Sequence, residues 1–267
     1  MGIINVTPDS FADGGVRFDP ARAIDDGWQM LEDGADILDV GGESTRPGAE
    51  PLDGDAELRR ILPVVEGFDG RPVISIDTYK AVVAREALAR GASIINDISA
   101  LRYDPALAAV AADTGAAVVL MHNRGRSRDM YREAEYADAP EEIAAELSDA
   151  MRDAVAAGIA RDAIILDPGL GFAKQARHSF EALAALGHLA SLGRPLLSGP
   201  SRKSFLKQAV GDLPPAERDW GTAGAVAASV LLGAHIVRVH AVREMVQVVR
   251  VADAVLAAGA GRAPRAV

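Results

Sequence analysis

Eight times along this chain a short run rich in β-branched residues ends in polar side chains and gives way to an Ala/Leu-rich stretch with helical spacing. Such alternation predicts βα units and a parallel sheet, because parallel neighbours need a crossover that a helix supplies. The runs are Gly2 to Val6, Ala35 to Val40, Val73 to Asp77, Ser93 to Asp97, Ala117 to Met121, Ile164 to Asp167, Pro195 to Ser198 and Ile236 to Val239. Eight strands are the number that closes a barrel. Between them Ile24, Trp28 and Leu31, and later Ile143, Leu147 and Met151, recur at i, i+3/i+4 and turn one apolar stripe per helix toward the sheet. Gly34, Gly91, Gly115 and Gly233 each stand just ahead of a strand, where a helix C-terminus adopts the left-handed conformation.

An open, doubly wound sheet would carry a glycine-rich phosphate loop after its first strand. Thr7-Pro8-Asp9-Ser10-Phe11 stands there instead. The expected fold is therefore α/β, a closed (β/α)8 TIM barrel. No linker, low-complexity tract or charge block divides the chain, so residues 1–267 are expected to form a single domain, a length usual for one such barrel.

A formal net charge of −10 repels phosphate backbones and anionic bilayers over most of the surface, which excludes nucleic acid and membrane as general partners. A small anionic substrate would need a local cationic cluster to oppose that field. The absence of cysteine excludes disulfides, zinc–thiolate sites and thiol nucleophiles. The opening Met1-Gly2-Ile3-Ile4-Asn5 has neither the basic segment nor the long apolar run of a secretory signal. Gly221 to Val237 is the longest apolar-rich stretch, but it contains Thr222, Ser229 and His235 and is shorter than the ~20 apolar residues of a membrane span. A cytoplasmic protein is expected.

All eight strand ends are polar: Asn5, Asp39 with Glu43, Asp77, Asn96 with Asp97, His122, Asp167, Ser198, and Arg238 with His240. In a barrel these positions converge on one mouth. Any one of them could simply meet solvent or cap the next helix, a reading that weakens as carboxylates and amides recur on successive strands. Asp77, Asn96 and Asp167 form the sharpest subset. A carboxylate accepts two parallel hydrogen bonds from an amidine-like edge and a carboxamide both donates and accepts, which suits an aminopyrimidinone. The cationic counterpart is Ser201-Arg202-Lys203-Ser204 with Arg238-Val239-His240, following strands seven and eight where such barrels grip phosphate. The loops Thr7 to Gly15 and Gly41 to Ala49 mix Gly, Pro, Ser/Thr and charge, as covers over a site would.

Seven segments together resemble the dihydropteroate synthases: MGIINVTPDSFADGG (1–15), DVGGESTRPGAE (39–50), SIDT (75–78), IINDIS (94–99), ILDPGLGFAK (165–174), SRKSF (201–205) and RVH (238–240). The resemblance spans nearly the whole chain, and motifs of this length in this order are specific. It implies a transferase of folate biosynthesis joining a dihydropterin diphosphate to p-aminobenzoate, and the family is a sulfonamide target. Asp77, Asn96, Asp167 and Lys203 would then form the pterin pocket, with Met121 as an apolar wall. Thr45, Arg238 and His240 would hold the diphosphate, and Asn5 would position it together with a Mg2+ cofactor. Phe11, Arg46, Pro47, Phe172 and Ser204 would surround p-aminobenzoate. Asp77, Asp167, Lys203, Arg238 and His240 would carry catalysis by stabilising a pterin cation and its leaving group.

The resemblance also implies a homodimer; family members usually carry a further stretch ahead of the MGI motif that closes the barrel floor, whereas this sequence opens on that motif. The apolar residues Met245, Val246, Val248, Val249 and Val251 suit either barrel packing or an interface. Two departures stand out: Ala241 replaces an Asp common after the RVH motif, and Asn123-Arg124 follow His122 where the family often differs, an expected change at the pocket rim. A pterin-binding methyltransferase shares the barrel and the pterin-edge carboxylates but does not need SRKSF or ESTRPG. A Schiff-base aldolase needs a lysine inside the barrel, and no expected strand contains one. A degenerate barrel that binds pterin without turnover is the non-enzymatic reading.

Overall fold

The structure, a computed structural model, describes residues 1–7, 19–44, 49–126 and 130–260. Among them eight strands follow one another: β1 (Gly2–Asn5), β2 (Ile37–Gly41), β3 (Val73–Asp77), β4 (Ile94–Asp97), β5 (Ala117–Met121), β6 (Ile164–Asp167), β7 (Leu197–Ser198) and β8 (Ile236–Val237). Strands β1 to β6 pair in chain order as one parallel ladder, and β7 pairs with β8. The two ladders join at both edges. Leu166 bridges Leu196, and Gly2 bridges Val239, where Ile3 N donates to Val239 O and Val239 N to Met1 O, each at 3.0 Å. The sheet thereby closes into a (β/α)8 barrel with no free edge.

A helix follows each strand: α1 (Pro20–Glu32), α2 (Gly54–Gly67), α3 (Ala81–Leu88), α4 (Ala106–Thr114), α5 (Ala139–Ala156), α6 (Ala176–Ala184), α7 (Asp219–Leu231) and α8 (Val242–Ala260), with shorter helical turns between some of them. Asp19, Asp53 and Asp138 open α1, α2 and α5 by accepting hydrogen bonds from Ala21, Ala56 and Glu141 N at 3.0, 2.8 and 3.2 Å, which satisfies donors that have no partner inside the helix. Gly34, Gly91, Gly115 and Gly233 have φ of 105, 106, 68 and 105°, the left-handed turns that the sequence predicts.

Strand β2 begins two residues later than expected, because Ala35 N closes the end of α1 on Met30 O at 2.9 Å. The ladders of β7 and β8 are also shorter. Pro195 has no N–H to give, and past Val237 the chain alternates between neighbours, Arg238 N reaching Ser198 O at 2.9 Å and Val239 pairing with β1. That alternation leaves Arg238 and His240 facing one side, toward the barrel mouth.

Strand periodicity decides what lies inside. Leu38, Val40, Ile74 and Ile76 point outward and pack with Ile61, Val64, Val65 and Phe68 of the α2 segment. Ile95, Val118, Leu120, Ile164 and Leu166 do the same against Leu107, Ile143, Leu147 and Met151. The alternate residues face the barrel axis. Ile94, Val119 and Leu197 pack there with Ile37, Ile165 and Ile236. This apolar layer lies beneath the polar strand ends, so the core itself forms the floor of the mouth. In α8, Met245 is buried against Val226, Val239 and Val242, whereas Val251 is 66% exposed; the terminal apolar segment thus serves barrel packing on one face and solvent on the other.

Candidate active site

A cavity of about 890 Å³ occupies the C-terminal mouth of the barrel. Its lining includes Asn5, Asp77, Asn96, Met121, Asp167, Phe172, Lys203, Ser204, Arg238 and His240, which the strand and loop positions bring together from across the sequence. Thr45 and Arg46, with Phe11 and Pro47, lie outside the described residues. Strand register explains much of the convergence, since Asp77 pairs with Asn96 and Met121 with Asp167 across adjacent strands.

The most buried acid at this mouth is one the sequence reading named only as a strand end. Asp39, with no solvent exposure, shares the inward phase of β2 with Ile37 and Gly41. Its Oδ2 accepts hydrogen bonds from Arg238 Nε at 2.6 Å and Asn96 Nδ2 at 3.0 Å. Arg238 Nη2 then reaches Asp77 Oδ2 at 2.8 Å. One guanidinium therefore ties together carboxylates from β2 and β3. Burial pushes the Asp77 carboxyl well above the usual range; Arg238 opposes that shift and Asp39 reinforces it. Charge on the Asp77 side of the pocket is thus expensive without a cation beside it.

Asp167 is buried at the end of β6, where its Oδ1 accepts Gly169 N at 2.7 Å. Burial raises its pKa too, and the Lys203 ammonium is the strongest influence in the other direction. Lys203 is pushed down to about 8 by burial, with Asp167 and Asp77 holding its charge and Arg238 acting against it. Its Nζ stands 4.6 Å from the centroid of the Phe172 ring, a cation–π arrangement.

The backbone that aims Lys203 is strained. Arg202 has φ of 59°, costly for a residue with a Cβ, and is held there by its surroundings. Its guanidinium pairs with both Asp219 oxygens at 2.7 Å, its N–H reaches Thr222 Oγ1 at 3.0 Å, and its carbonyl accepts from Arg218 Nη1 at 2.8 Å. The sequence reading grouped Arg202 with the anion-binding cations. Its guanidinium is paired with Asp219, and Arg202 and Lys203 both line the cavity.

His240 is fixed by Ser201. The Ser201 Oγ lies 2.9 Å from His240 Nδ1 and accepts His240 N at 3.2 Å. Asn5 Nδ2 approaches His240 Nε2 at 3.5 Å, which brings the first strand and the segment after the last one into contact. Among the described residues no group of three His, Asp or Glu side chains could hold a cation unaided. The Asn5 carboxamide at this mouth is a hard oxygen donor of the kind that magnesium accepts alongside ligand oxygens.

Several polar strand ends do not join the site, and strand phase is the reason. Asp97, His122 and Ser198 face outward. Asp97 receives Ser99 N and Oγ at 2.8 and 2.7 Å and Leu101 N at 2.5 Å, a turn-forming role. Ser198 Oγ bonds Ser229 Oγ of α7 at 2.9 Å. Glu43 touches the cavity rim but spends its carboxylate on Leu52 N, Tyr79 Oη and Lys80 Nζ at 2.9, 2.9 and 2.5 Å. Asn123 and Arg124, expected at the rim, do not line the cavity. Asn123 Nδ2 bonds Tyr103 Oη at 3.3 Å, and Arg124 pairs with Glu142 and Glu146 of α5 while stacking 4.0 Å from the Tyr136 ring centroid.

Comparison with known proteins agrees with this geometry. The family model described as "Pterin binding enzyme" matches residues 1–240. A dihydropteroate synthase of Bacillus subtilis is 44% identical over 262 residues, covering 97% of this chain and 89% of the relative. The chain belongs to the dihydropteroate synthase family. Solved dihydropteroate synthases share the fold closely. The enzyme of Yersinia pestis in a sulfonamide drug complex superposes with a TM-score of 0.91 at 40% identity, covering 96% of this chain and 94% of that one. That of Xanthomonas albilineans with 4-aminobenzoic acid gives 0.90 at 40% identity, covering 96% and 92%. In this dihydropteroate synthase chain the SIDT, IIND and ILD motifs are the ends of β3, β4 and β6, and SRKSF and RVH follow β7 and β8.

Proposed function

We propose that this protein displaces pyrophosphate from (7,8-dihydropterin-6-yl)methyl diphosphate with the amine of p-aminobenzoate, forming 7,8-dihydropteroate for folate synthesis. The observation that carries this reading is a single cavity holding acids and an amide, Asp77, Asn96 and Asp167, beside a cationic set, Lys203, Arg238 and His240. The first group suits the donor-rich edge of a pterin, and the second suits a diphosphate. The 4-aminobenzoic acid held by the Xanthomonas albilineans relative and the sulfonamide held by the Yersinia pestis relative support p-aminobenzoate as the nucleophile and sulfonamides as inhibitors.

The reaction breaks the bond between the pterin methylene carbon and its ester oxygen, and the electron pair leaves with pyrophosphate. The arylamine nitrogen bonds to that carbon and then loses a proton. No covalent enzyme intermediate is needed. Burial disfavours charge on Asp77 and Asp167, so their carboxylates would gain from a neighbouring pterin cation. Lys203 would hold the pterin from the opposite side, stacked on Phe172. Arg238, already oriented by Asp39 and Asp77, and His240, oriented by Ser201, would neutralise the leaving group. Thr45 would add a hydroxyl to the diphosphate, and Arg46, Phe172 and Ser204 would border p-aminobenzoate. Asn5 would supply one oxygen to Mg2+, which lends the leaving group positive charge when bound.

The reading extends to a cytoplasmic homodimer. No helix among the described residues is long and apolar enough to cross a membrane. Trp220, Val251 and Val255 on the packed pair α7 and α8 are 90, 66 and 56% exposed, an apolar surface suited to a second copy. The deciding experiment supplies the dihydropterin diphosphate and Mg2+ with and without p-aminobenzoate. Pyrophosphate release coupled to dihydropteroate formation is expected. Pterin binding without product would replace this reading with that of a degenerate binding barrel.

A further inference from the structure

Lys174 ends the ILDPGLGFAK segment and precedes α6, where a lysine is normally solvated. Here it is 2% exposed. Its Nζ lies 2.7 Å from His122 Nδ1, 3.1 Å from Phe172 O and 3.4 Å from His122 O, three acceptors for the three N–H groups of an ammonium. For Nδ1 to accept, the His122 ring must be neutral with its proton on Nε2. That nitrogen stands 3.1 Å from Glu146 Oε2 of α5. Glu146 is held in turn by Arg124. Burial drives both Lys174 and His122 toward their neutral forms, and the polar groups around Nζ hold the buried amine in place.

The same turn is pinned from a second direction and built for close approach. Tyr136 Oη donates to Ala173 O at 2.9 Å, and Ala173 sits at φ of 45°. Gly169 has φ of 68°, and a Cβ there would meet His122 O at 1.9 Å. The backbone between Asp167 and α6 is thus pressed against the end of β5, with consecutive carbonyls, those of Phe172 and Ala173, held by the buried Lys174 and the half-buried Tyr136. Phe172 is the residue whose ring stacks against the Lys203 ammonium at the cavity wall.

We infer that Lys174 is a positioning residue: through Phe172 and His122 it locks the turn after β6 onto β5 and so shapes the arylamine side of the site in advance of binding. This rests on the proposed synthase reading. Lys174 touches no substrate, being absent from the cavity lining. Its effect is carried by the Phe172 carbonyl it holds, which is why it concerns the second substrate more than the pterin.

The test uses the full chain and three variants, Lys174→Met, Phe172→Ala and the double variant, with His122→Gln as a milder probe should Lys174→Met fold poorly. The expected result for Lys174→Met is a rise of at least tenfold in KM for p-aminobenzoate, with the Kd for dihydropterin diphosphate changed less than threefold. Combined with Phe172→Ala it should add little, because both act on one element. Hydrogen–deuterium exchange reads the turn without turnover: amides of residues 168–174 should exchange faster in Lys174→Met than in the parent, relative to the rest of the barrel. Equal losses for both substrates, full additivity with Phe172→Ala, or unchanged exchange in that turn would each overturn the inference. An inactive parent chain would instead sink the synthase reading and leave the exchange result to decide the role of Lys174.

Discussion

The Oδ2 atom of Asp39 accepts Arg238 Nε at 2.6 Å, while its Oδ1 is buried without a hydrogen-bond partner. Arg238 and Asn96 both address Oδ2, which offsets the burial of the side chain. Asp39 therefore sets the direction in which Arg238 meets a leaving group. Asp39→Asn keeps the shape and removes the charge. It should lower kcat/KM by roughly 10- to 100-fold, the worth of one hydrogen bond to a charged group, with little change in pterin affinity. Steady-state kinetics beside pterin titration will show it; unchanged turnover would make Asp39 a packing residue only.

The pH profile of kcat/KM should have both limbs displaced inward. Lys203 titrates at about 8 in the free protein, so its charge is present below that pH and activity declines as pH rises through it. Burial raises Asp77 and Asp167; their charge is present above the raised values, so activity declines as pH falls while still above the ordinary carboxylate range. Lys203→Gln should flatten the alkaline limb, and Asp77→Asn should alter the acid one. Rate measurements across the range are the check, and an alkaline limb that survives Lys203→Gln would reassign it.

Stability carries its own pH signature through His122. Burial, helped by the Lys174 charge, lowers its pKa to about 4 from 6.5. Below 6.5 the unfolded chain takes up a proton that the folded one refuses, so the stabilisation present above 6.5 is lost as pH falls toward 4. The slope from this group approaches about 1.4 kcal/mol per pH unit. Urea unfolding at several pH values should show His122→Gln losing that portion of the slope. An identical slope in the variant would mean that the histidine is protonated in the fold.

Removing divalent ions should abolish turnover, and added Mg2+ should restore it. Asn5→Ala, which deletes the carboxamide whose Nδ2 lies beside His240, should raise the Mg2+ concentration for half-maximal activity about tenfold or more if its oxygen is a protein contact to the ion. A magnesium titration of both proteins settles this, since equal requirements would remove Asn5 from the metal's surroundings.

The strands were legible because most are buried β-branched runs, four of them set off by a glycine turn at 34, 91, 115 or 233, a pattern that survives in one dimension. The helices α1 and α5 followed from the stripes at Ile24, Trp28 and Leu31 and at Ile143, Leu147 and Met151. Strand-end polarity was a weaker guide because it ignored phase. Counting back by twos from Asp77 or Asp167 separates inward residues from outward ones, and the same count on β2 and β4 selects Asp39 and Asn96 and rejects Asp97. Lys174 had no such signal. A lysine in a loop is ordinarily exposed, and its three acceptors come from residues 122 and 172, a convergence that exists only after β5 and β6 are side by side. The pairing of Arg202 with Asp219 had no local signal either, since Asp219 lies beyond an intervening turn.

The pairing of Gly2 with Val239 is a seam between the first strand made and the last. The contacts that matter to the site straddle it: Asn5 with His240, and Asp39 with Arg238. A growing chain therefore has nothing able to grip a diphosphate until nearly all of it has emerged, and contacts of such long sequence separation form slowly. A ligand that bridges the seam would act as a clasp on the closed ring, stabilising it by mass action. Substrate occupancy and barrel integrity are consequently one equilibrium, and the molecule should resist unfolding best when it is at work.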